Sequence, residues 1–138
     1  MPFKLEIVTP EASIYSDEVD TVVLPGSEGE MGILASHAPL VTTLKPGELR
    51  LLKAGKTLNM AVGEGLVEIT GYSVRVLTDM AIDADAIDEK AAEEAIARAH
   101  SEIEKLKAAG GDVDEEIAAT MALIQRSTAQ LHVKRRRI

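Results

Sequence analysis

Three groups of residues in this chain have types and spacings that could support chemistry: a glycine-rich acidic segment, a run of cations at one end, and three histidines. Pro25-Gly26-Ser27-Glu28-Gly29-Glu30-Met31-Gly32 has the glycine density of a loop that cradles phosphate on its backbone N–H groups. It lacks the closing Gly-Lys-Ser/Thr that supplies the cation, and Glu28 and Glu30 would repel phosphate. β-rich runs on both sides make it a loop with bulges or left-handed glycines instead. His37, His100 and His132 are far apart and none stands at ligand spacing, so no metal site is nominated. His37 precedes Ala38-Pro39 and so belongs to an extended or turn segment. The serines have no nucleophile-elbow context. With no cysteine, thiol catalysis, disulfides and Cys-based zinc are excluded. No catalytic residue emerges, which favours a binding or mechanical role over an enzyme.

Composition agrees. The chain has 138 residues, 46% of them hydrophobic, so it can bury a core. Only 2% are aromatic, so that core must be aliphatic, and the stacking platforms of nucleobase or sugar sites are lacking. A net charge of −8 repels a polyanion, so nucleic acid is not an expected partner. Against that average, Lys134, Arg135, Arg136 and Arg137 are consecutive cations. No apolar run approaches the ~20 residues that cross a bilayer, and residues 1–8 show no signal-peptide core. The expectation is a soluble cytoplasmic chain that reaches a membrane only through partners.

Two hydrophobic periods must position these groups. From Phe3 to about Asp79 the period is that of strands: Phe3, Leu5 and Ile7 alternate with Lys4 and Glu6. Further β-rich runs span 19–24, 48–53, 57–62, 66–70 and 73–77. Turn residues at Pro25-Gly26, Lys45-Pro46-Gly47, Ala54-Gly55-Lys56 and Gly71-Tyr72 separate them. Short strands at this spacing, with no helix of crossover length between them, predict an antiparallel sandwich or barrel.

Near residue 82 the period becomes helical. Ala92, Ile96, Ala99, Ile103 and Leu106 form one stripe, and Ile117, Met121, Ile124, Thr128 and Leu131 a second. Ala109-Gly110-Gly111-Asp112 lies between them, with glycines for a left-handed helix stop and Asp112/Glu115 spaced as a capping box. Two antiparallel helices of ~20 residues, ~30 Å long, are predicted. The first stripe is rich in alanine, and each alanine in place of leucine forgoes roughly 2 kcal/mol of burial. The hairpin should therefore dock weakly, as a switch does, although periodicity alone also reads as a short, closely packed αα-hairpin with no switching role. The domain boundary is expected at Asp83-Ala84-Asp85-Ala86, giving a β unit over 1–84 and a helical unit over 85–138.

From Gly26 to Thr42 the chain reads GSEGEMGILASHAPLVT, a Gly-x-x-Gly-x-x-Gly-Ile loop followed by His-Ala-Pro-Leu. This resembles the epsilon-subunit family of bacterial F-type ATP synthases. Leu5 to Glu11, Leu44 to Arg50, Val67 to Ala81 and Gly110 to Asp114 extend the resemblance, in order, along nearly the whole chain. It implies a β-sandwich of about ten strands followed by a two-helix hairpin. It also implies a non-catalytic rotor-stalk subunit that couples ion flow to ATP synthesis at the cytoplasmic face of the inner membrane. The implied partners are the gamma subunit, the c-ring and the alpha/beta catalytic hexamer. On this resemblance Glu28, Gly29 and Glu30 form the ring-contact loop, and His37 lies near gamma and the ring. An opened hairpin would block ATP hydrolysis, with Arg126, Lys134, Arg135, Arg136 and Arg137 meeting an acidic loop of the beta subunit.

Some relatives bind ATP through Ile/Leu-Asp-x-x-Arg-Ala and further arginines. This chain offers Ile87-Asp88-Glu89-Lys90-Ala91-Ala92, with Arg98 and Arg126 aligned to two of the additional arginines and Gln130 in place of another. Two guanidiniums are missing, and lysine or glutamine cannot copy their bidentate phosphate contacts. No cofactor is expected, and ATP binding is expected to be weak or absent. A second departure is Glu64 between Gly63 and Gly65, where relatives usually have adjacent glycines. The alternative reading is a free-standing ATP-sensing or adaptor module that presents a helical hairpin.

Overall fold

A computed structural model describes residues 2–36 and 38–136, with Arg136 described by its backbone alone. Ten strands come first: β1 (Phe3–Val8), β2 (Ser13–Val19), β3 (Thr21–Gly26), β4 (Gly29–Ile33), β5 (Leu40–Leu44), β6 (Gly47–Lys53), β7 (Lys56–Val62), β8 (Gly65–Ile69), β9 (Ser73–Thr78) and β10 (Ala81–Asp83). A 3-10 turn (Ala84–Ala86) leads to helices α1 (Glu89–Ala109) and α2 (Asp114–Arg136). The fold is the expected β-sandwich followed by a helical hairpin.

The strands follow the order β10-β7-β6-β3-β5-β8-β9-β1-β2, with β4 paired to β3. All pairs are antiparallel except β1 with β9, which run parallel in the register Leu5↔Val74 and Ile7↔Val76. That one parallel pair is possible because seven intervening strands, rather than a crossover helix, bring the chain back. β2 returns to β6 through Asp20 N–H to Leu52 O at 2.7 Å and a Lys53–Asp17 ion pair. Lys53 holds the Asp17 carboxyl below the usual carboxylate range, helped by the backbone N–H of Glu18. The β6–β7 turn places Ala54 (φ 50°) and Gly55 (φ 80°) in left-handed conformations, as a tight hairpin requires.

Alternation fills one core. Phe3, Leu5, Ile7, Leu24, Ile33, Leu44, Leu49, Val67, Val74 and Val76 belong to it, and no member lies beyond the strands. On β7 burial is continuous over Met60, Ala61 and Val62, because this strand is covered on both faces. Met60 and Val62 enter the sandwich core, while Ala61 turns outward to join Ala84, Ile87 and Val133 in a second, small cluster. Helix α2 is seated there.

Two elements depart from the sequence expectation. The second helical stripe is only partly the buried one: Leu131 is buried and Ile117 and Ile124 are half-buried, but Met121 and Thr128 are exposed, and Ser127, Ala129 and Val133 are buried beside the stripe. Two rows, 127/131 and 129/133, become buried because only the C-terminal half of α2 packs on more than one side. The capping box is also absent. Helix α2 begins at Asp114, so Asp112 lies two positions before it, and Ile117 N–H bonds to Val113 O. Asp114, Glu115 and Glu116 in the first turn complement the helix dipole instead. Gly110 (φ 72°) and Gly111 (φ 85°) take the left-handed conformations expected.

The Gly63-Glu64-Gly65 departure now has a physical account. A Cβ on Gly65 would sit 1.9 Å from the Leu77 carbonyl oxygen, and one on Gly63 would sit 1.7 Å from Asp79 Oδ1. Between them only the Glu64 carbonyl is used, accepting from Asp79 N–H and Thr78 Oγ1 at 3.1 Å each, so its side chain is unconstrained. Gly65→Ala drives a methyl into backbone and is expected to lower unfolding free energy by about 2–3 kcal/mol in urea titration. Gly32→Ala, with open space around its Cβ, should be near neutral.

Candidate functional site

The glycine-rich segment is a hairpin loop, not a phosphate cradle. Pro25 and Gly26 end β3, Gly29 and Glu30 begin β4, and Gly29 carries the left-handed φ of 123° that lets the chain reverse. Glu28 is exposed at the tip. Glu30 is not a free acid: its carboxylate accepts from Arg50 Nη2 at 2.7 Å, while Arg50 Nη1 donates to Glu48 at 2.7 Å. Glu48 is the buried member, with its side chain 4% exposed, and it also accepts from Asn59 at 3.2 Å. Hydrogen bonding to Glu48 foremost, aided by Glu30 and opposed by burial, holds the Arg50 guanidinium above its ordinary range. Between this corner and α2 lies a cleft of about 520 Å³ with Pro25, Pro46 and Gly47 on one side and Ile124, Thr128 and His132 on the other. The middle of α2 thus stands off the sheet.

The seat of the hairpin engages cations that the resemblance assigns to a partner. Arg126 pairs with Asp79 at 3.3 Å, Lys134 donates to Ala84 O at 3.4 Å, and Arg135 joins α1 at Glu89 (2.6 Å) and Glu93 (2.5 Å). Gln130 Nε2 donates to Met80 Sδ at 3.1 Å, so Arg126, Gln130 and Lys134 form one row along α2 facing residues 79–84. Glu89, the larger influence, and Glu93 hold the Arg135 guanidinium above its ordinary range. Arg137, His37 and the Arg136 side chain lie outside the described residues.

The residues aligned with an ATP motif are engaged in local contacts. Ile87 is buried in the docking cluster, and Asp88 is the N-cap of α1, its side chain accepting from Ala91 N–H at 3.0 Å. Ala91, at the arginine position of that motif, therefore contributes a backbone donor to that cap. Arg126 is paired across the seam, and among the described residues no hydrogen bond or ion pair joins Arg98 to the others.

One surface was missed by sequence reasoning. Leu34 (63% exposed), Leu40, Val41 (66%), Leu66 and Tyr72 (72%) are large apolar side chains in water. Register brings two of them together, since Thr43 pairs with Leu66 on β8 and Val41 lies diagonal to Leu66, and Ser36 N–H bonds Gly71 O at 3.0 Å, tying the loop after β4 to the Tyr72 turn; Leu40, next to Val41 on β5, points to the other face. The available signal was the apolar pair Leu40-Val41 directly after Pro39, where a surface turn calls for polar residues.

Comparisons with known proteins agree with this architecture. Residues 2–84 match the family described as ATP synthase, Delta/Epsilon chain, beta-sandwich domain. The ATP synthase epsilon chain of Herpetosiphon aurantiacus is 39% identical over 137 residues, covering 99% of this chain and 97% of that one. The corresponding chain of Desulforamulus reducens is 45% identical over 111 residues, covering 80% and 82%. A chain of the Euglena gracilis mitochondrial ATP synthase has the same fold, with TM-score 0.70 at 20% identity over 91% of this chain and 76% of that one. With the family match spanning more than half of the chain and the relatives nearly all of it, the chain belongs to the ATP synthase epsilon-chain family.

Proposed function

We propose that this chain is a non-catalytic subunit of the central rotor stalk of an F-type ATP synthase. It couples ion-driven rotation to ATP synthesis, and its C-terminal hairpin can inhibit ATP hydrolysis. The observation that carries the reading is the exposure of Leu34, Val41, Leu66 and Tyr72, four large apolar side chains of the sandwich and its turns. Such a patch marks a protein interface, and the gamma subunit is its occupant in this reading. The β3–β4 tip, with Glu28 and Gly29 exposed, meets the c-ring. Residues 1–84 are the platform and 85–138 the regulatory unit. Among the described residues no helix is long and apolar enough to cross a membrane. In this reading the chain sits at the cytoplasmic face through its partners.

The hairpin has two mutually exclusive uses. Arg126, Lys134 and Arg135 are engaged within the closed arrangement, and the same cations, with Arg136 and Arg137, meet the beta subunit of the catalytic hexamer when it opens. A small docking cluster and an unfilled cleft beneath α2 keep the closed state only modestly favoured. ATP is not a strong ligand of the closed state, since Asp88 caps a helix and Arg126 is already paired.

Co-purification tests the assignment. The tagged chain should bring down gamma and the catalytic hexamer, and Val41→Asp with Leu66→Asp should cut gamma recovery by about tenfold or more. A folded chain that recovers neither partner would sink it.

A further inference from the structure

We propose that Arg50 sorts the two carboxylates of the β3–β4 loop, fixing Glu30 inward as a structural tie and leaving Glu28 as the acid that meets a partner. The proposal deepens the reading of this loop as the ring contact and rests on it. Backbone holds the β3 side of the loop, where Lys45 N–H donates to Pro25 O at 2.8 Å and Gly26 pairs with Leu44. The β4 side is less held: Gly29 sits at a φ of 123°, and among the described residues β4 pairs with β3 alone. Its tether is a side chain from another strand. Register places Arg50 on β6 opposite Val23 of β3 and Asn59 of β7, with Glu48 two residues earlier on the same face. The guanidinium forks, one nitrogen to Glu48 and the other to Glu30, each at 2.7 Å.

The two bonds are unequal in setting. Glu48 lies buried at the floor of the cleft beneath α2 and is braced by Asn59, so it fixes where the guanidinium points. Glu30, 59% exposed, is the end that this fixed guanidinium reaches and holds. Charge-assisted bonds of this geometry are the strong kind, and burial reduces screening at the Glu48 end, while the exposed Glu30 end is screened by solvent and is the weaker of the two. Glu28 makes no ion pair among the described residues and is exposed, so its charge is available to a cationic or N–H-rich loop of the ring.

Amide hydrogen exchange on the full chain separates the roles. Arg50→Ala should speed exchange at residues 26–30 by about tenfold, with β8 and β9 unchanged, and Arg50→Lys should restore part of the protection. Glu28→Gln should leave exchange unchanged but weaken recovery of detergent-solubilised c-ring with gamma by about threefold or more. Should Arg50→Ala perturb the whole sheet, Glu30→Gln, on the exposed end of the tether, gives the same readout. A change below about twofold at residues 26–30 in both variants overturns the positioning role. Faster loop exchange together with ring recovery unaffected by Glu28→Gln would uphold the tie and sink the ring contact.

Discussion

Deleting residues 85–138 is expected to leave a folded β-sandwich that still binds its stalk partner while inhibition of ATP hydrolysis disappears. The sandwich core runs from Phe3 to Val76 and draws nothing from the helices. Deletion removes Ile87 and Val133 from the second cluster together with their covers. It leaves Ala61 and parts of Met80 and Ile82 newly wet. Burial lost from the remaining unit is about one or two methyl-sized contributions, roughly 1–2 kcal/mol, a fraction of the stability of an ordinary domain. Glu48 also becomes hydrated when α2 is gone, which for a carboxylate already bonded to Arg50 and Asn59 is no loss. The apolar surface at Val41, Leu66 and Tyr72 lies on strands and turns untouched by the cut. Urea unfolding of the truncated chain should give one cooperative transition, and gamma should still co-purify. ATPase activity of a complex assembled with the truncated chain should exceed that of the full complex by at least about fivefold, the low end of an ordinary coupling energy. If the shortened chain does not fold, the sandwich needs the hairpin and the division at 84 is wrong. If it folds and binds but the ATPase rate stays the same, the hairpin has no inhibitory role here.

How much of this was legible beforehand depends on what each element does with its side chains. β1, β8 and β9 alternate cleanly because each has one face in the core, and they were readable at Phe3/Leu5/Ile7, Val67/Ile69 and Val74/Val76. β2 was not, because Ser13, Ile14, Ser16, Asp17 and Glu18 are all exposed and leave no period to find. β4 is hidden by two glycines, and β5 by paired threonines and an apolar residue that faces outward. The strand at 19–24 was read as one run; Asp20, bonded to Leu52 O and to Ala54 N–H, splits it into two. The first helical stripe, Ala92 to Leu106, was right because α1 meets the protein on one side. The second was right at Leu131 and wrong at Met121 and Thr128, because burial along α2 is set by two neighbours at once. At the site, i and i+2 spacing puts Glu48 and Arg50 on one face from sequence alone, but nothing local says that Glu30 completes the fork from twenty residues away. Likewise the cations of α2 were visible, while their engagement by Asp79, Glu89 and Glu93 is a property of how the helices fold back.

Val133→Asp is expected to undock the hairpin without unfolding the sandwich. The ion pairs are weak candidates for the latch: Arg126 and Asp79 are 30% and 40% exposed, and pairs in such settings contribute about 0–1 kcal/mol each, less in salt. Val133 is completely buried against Ala61, Ala84 and Ile87, and burial of such a side chain is worth roughly 1.5–3 kcal/mol. A carboxylate there finds apolar neighbours and would cost several kcal/mol if the seat stayed closed. Undocking costs only the modest docking energy, so the chain takes that route and the penalty is capped. Exchange at amides of α2 beyond residue 124 and of residues 84–92 should rise by about a hundredfold, while β1, β8 and β9 keep their protection. Met121→Asp, at a half-exposed position on the same helix, should do nothing, and raising salt should change the wild type by less than either measurement resolves. In the assembled complex the same variant should inhibit ATP hydrolysis more strongly, because the closed state no longer competes for Arg126, Lys134 and Arg135. Loss of protection across the sheet and helices together would mean that platform and hairpin fold as one cooperative unit, and a switch built on their separation could not exist.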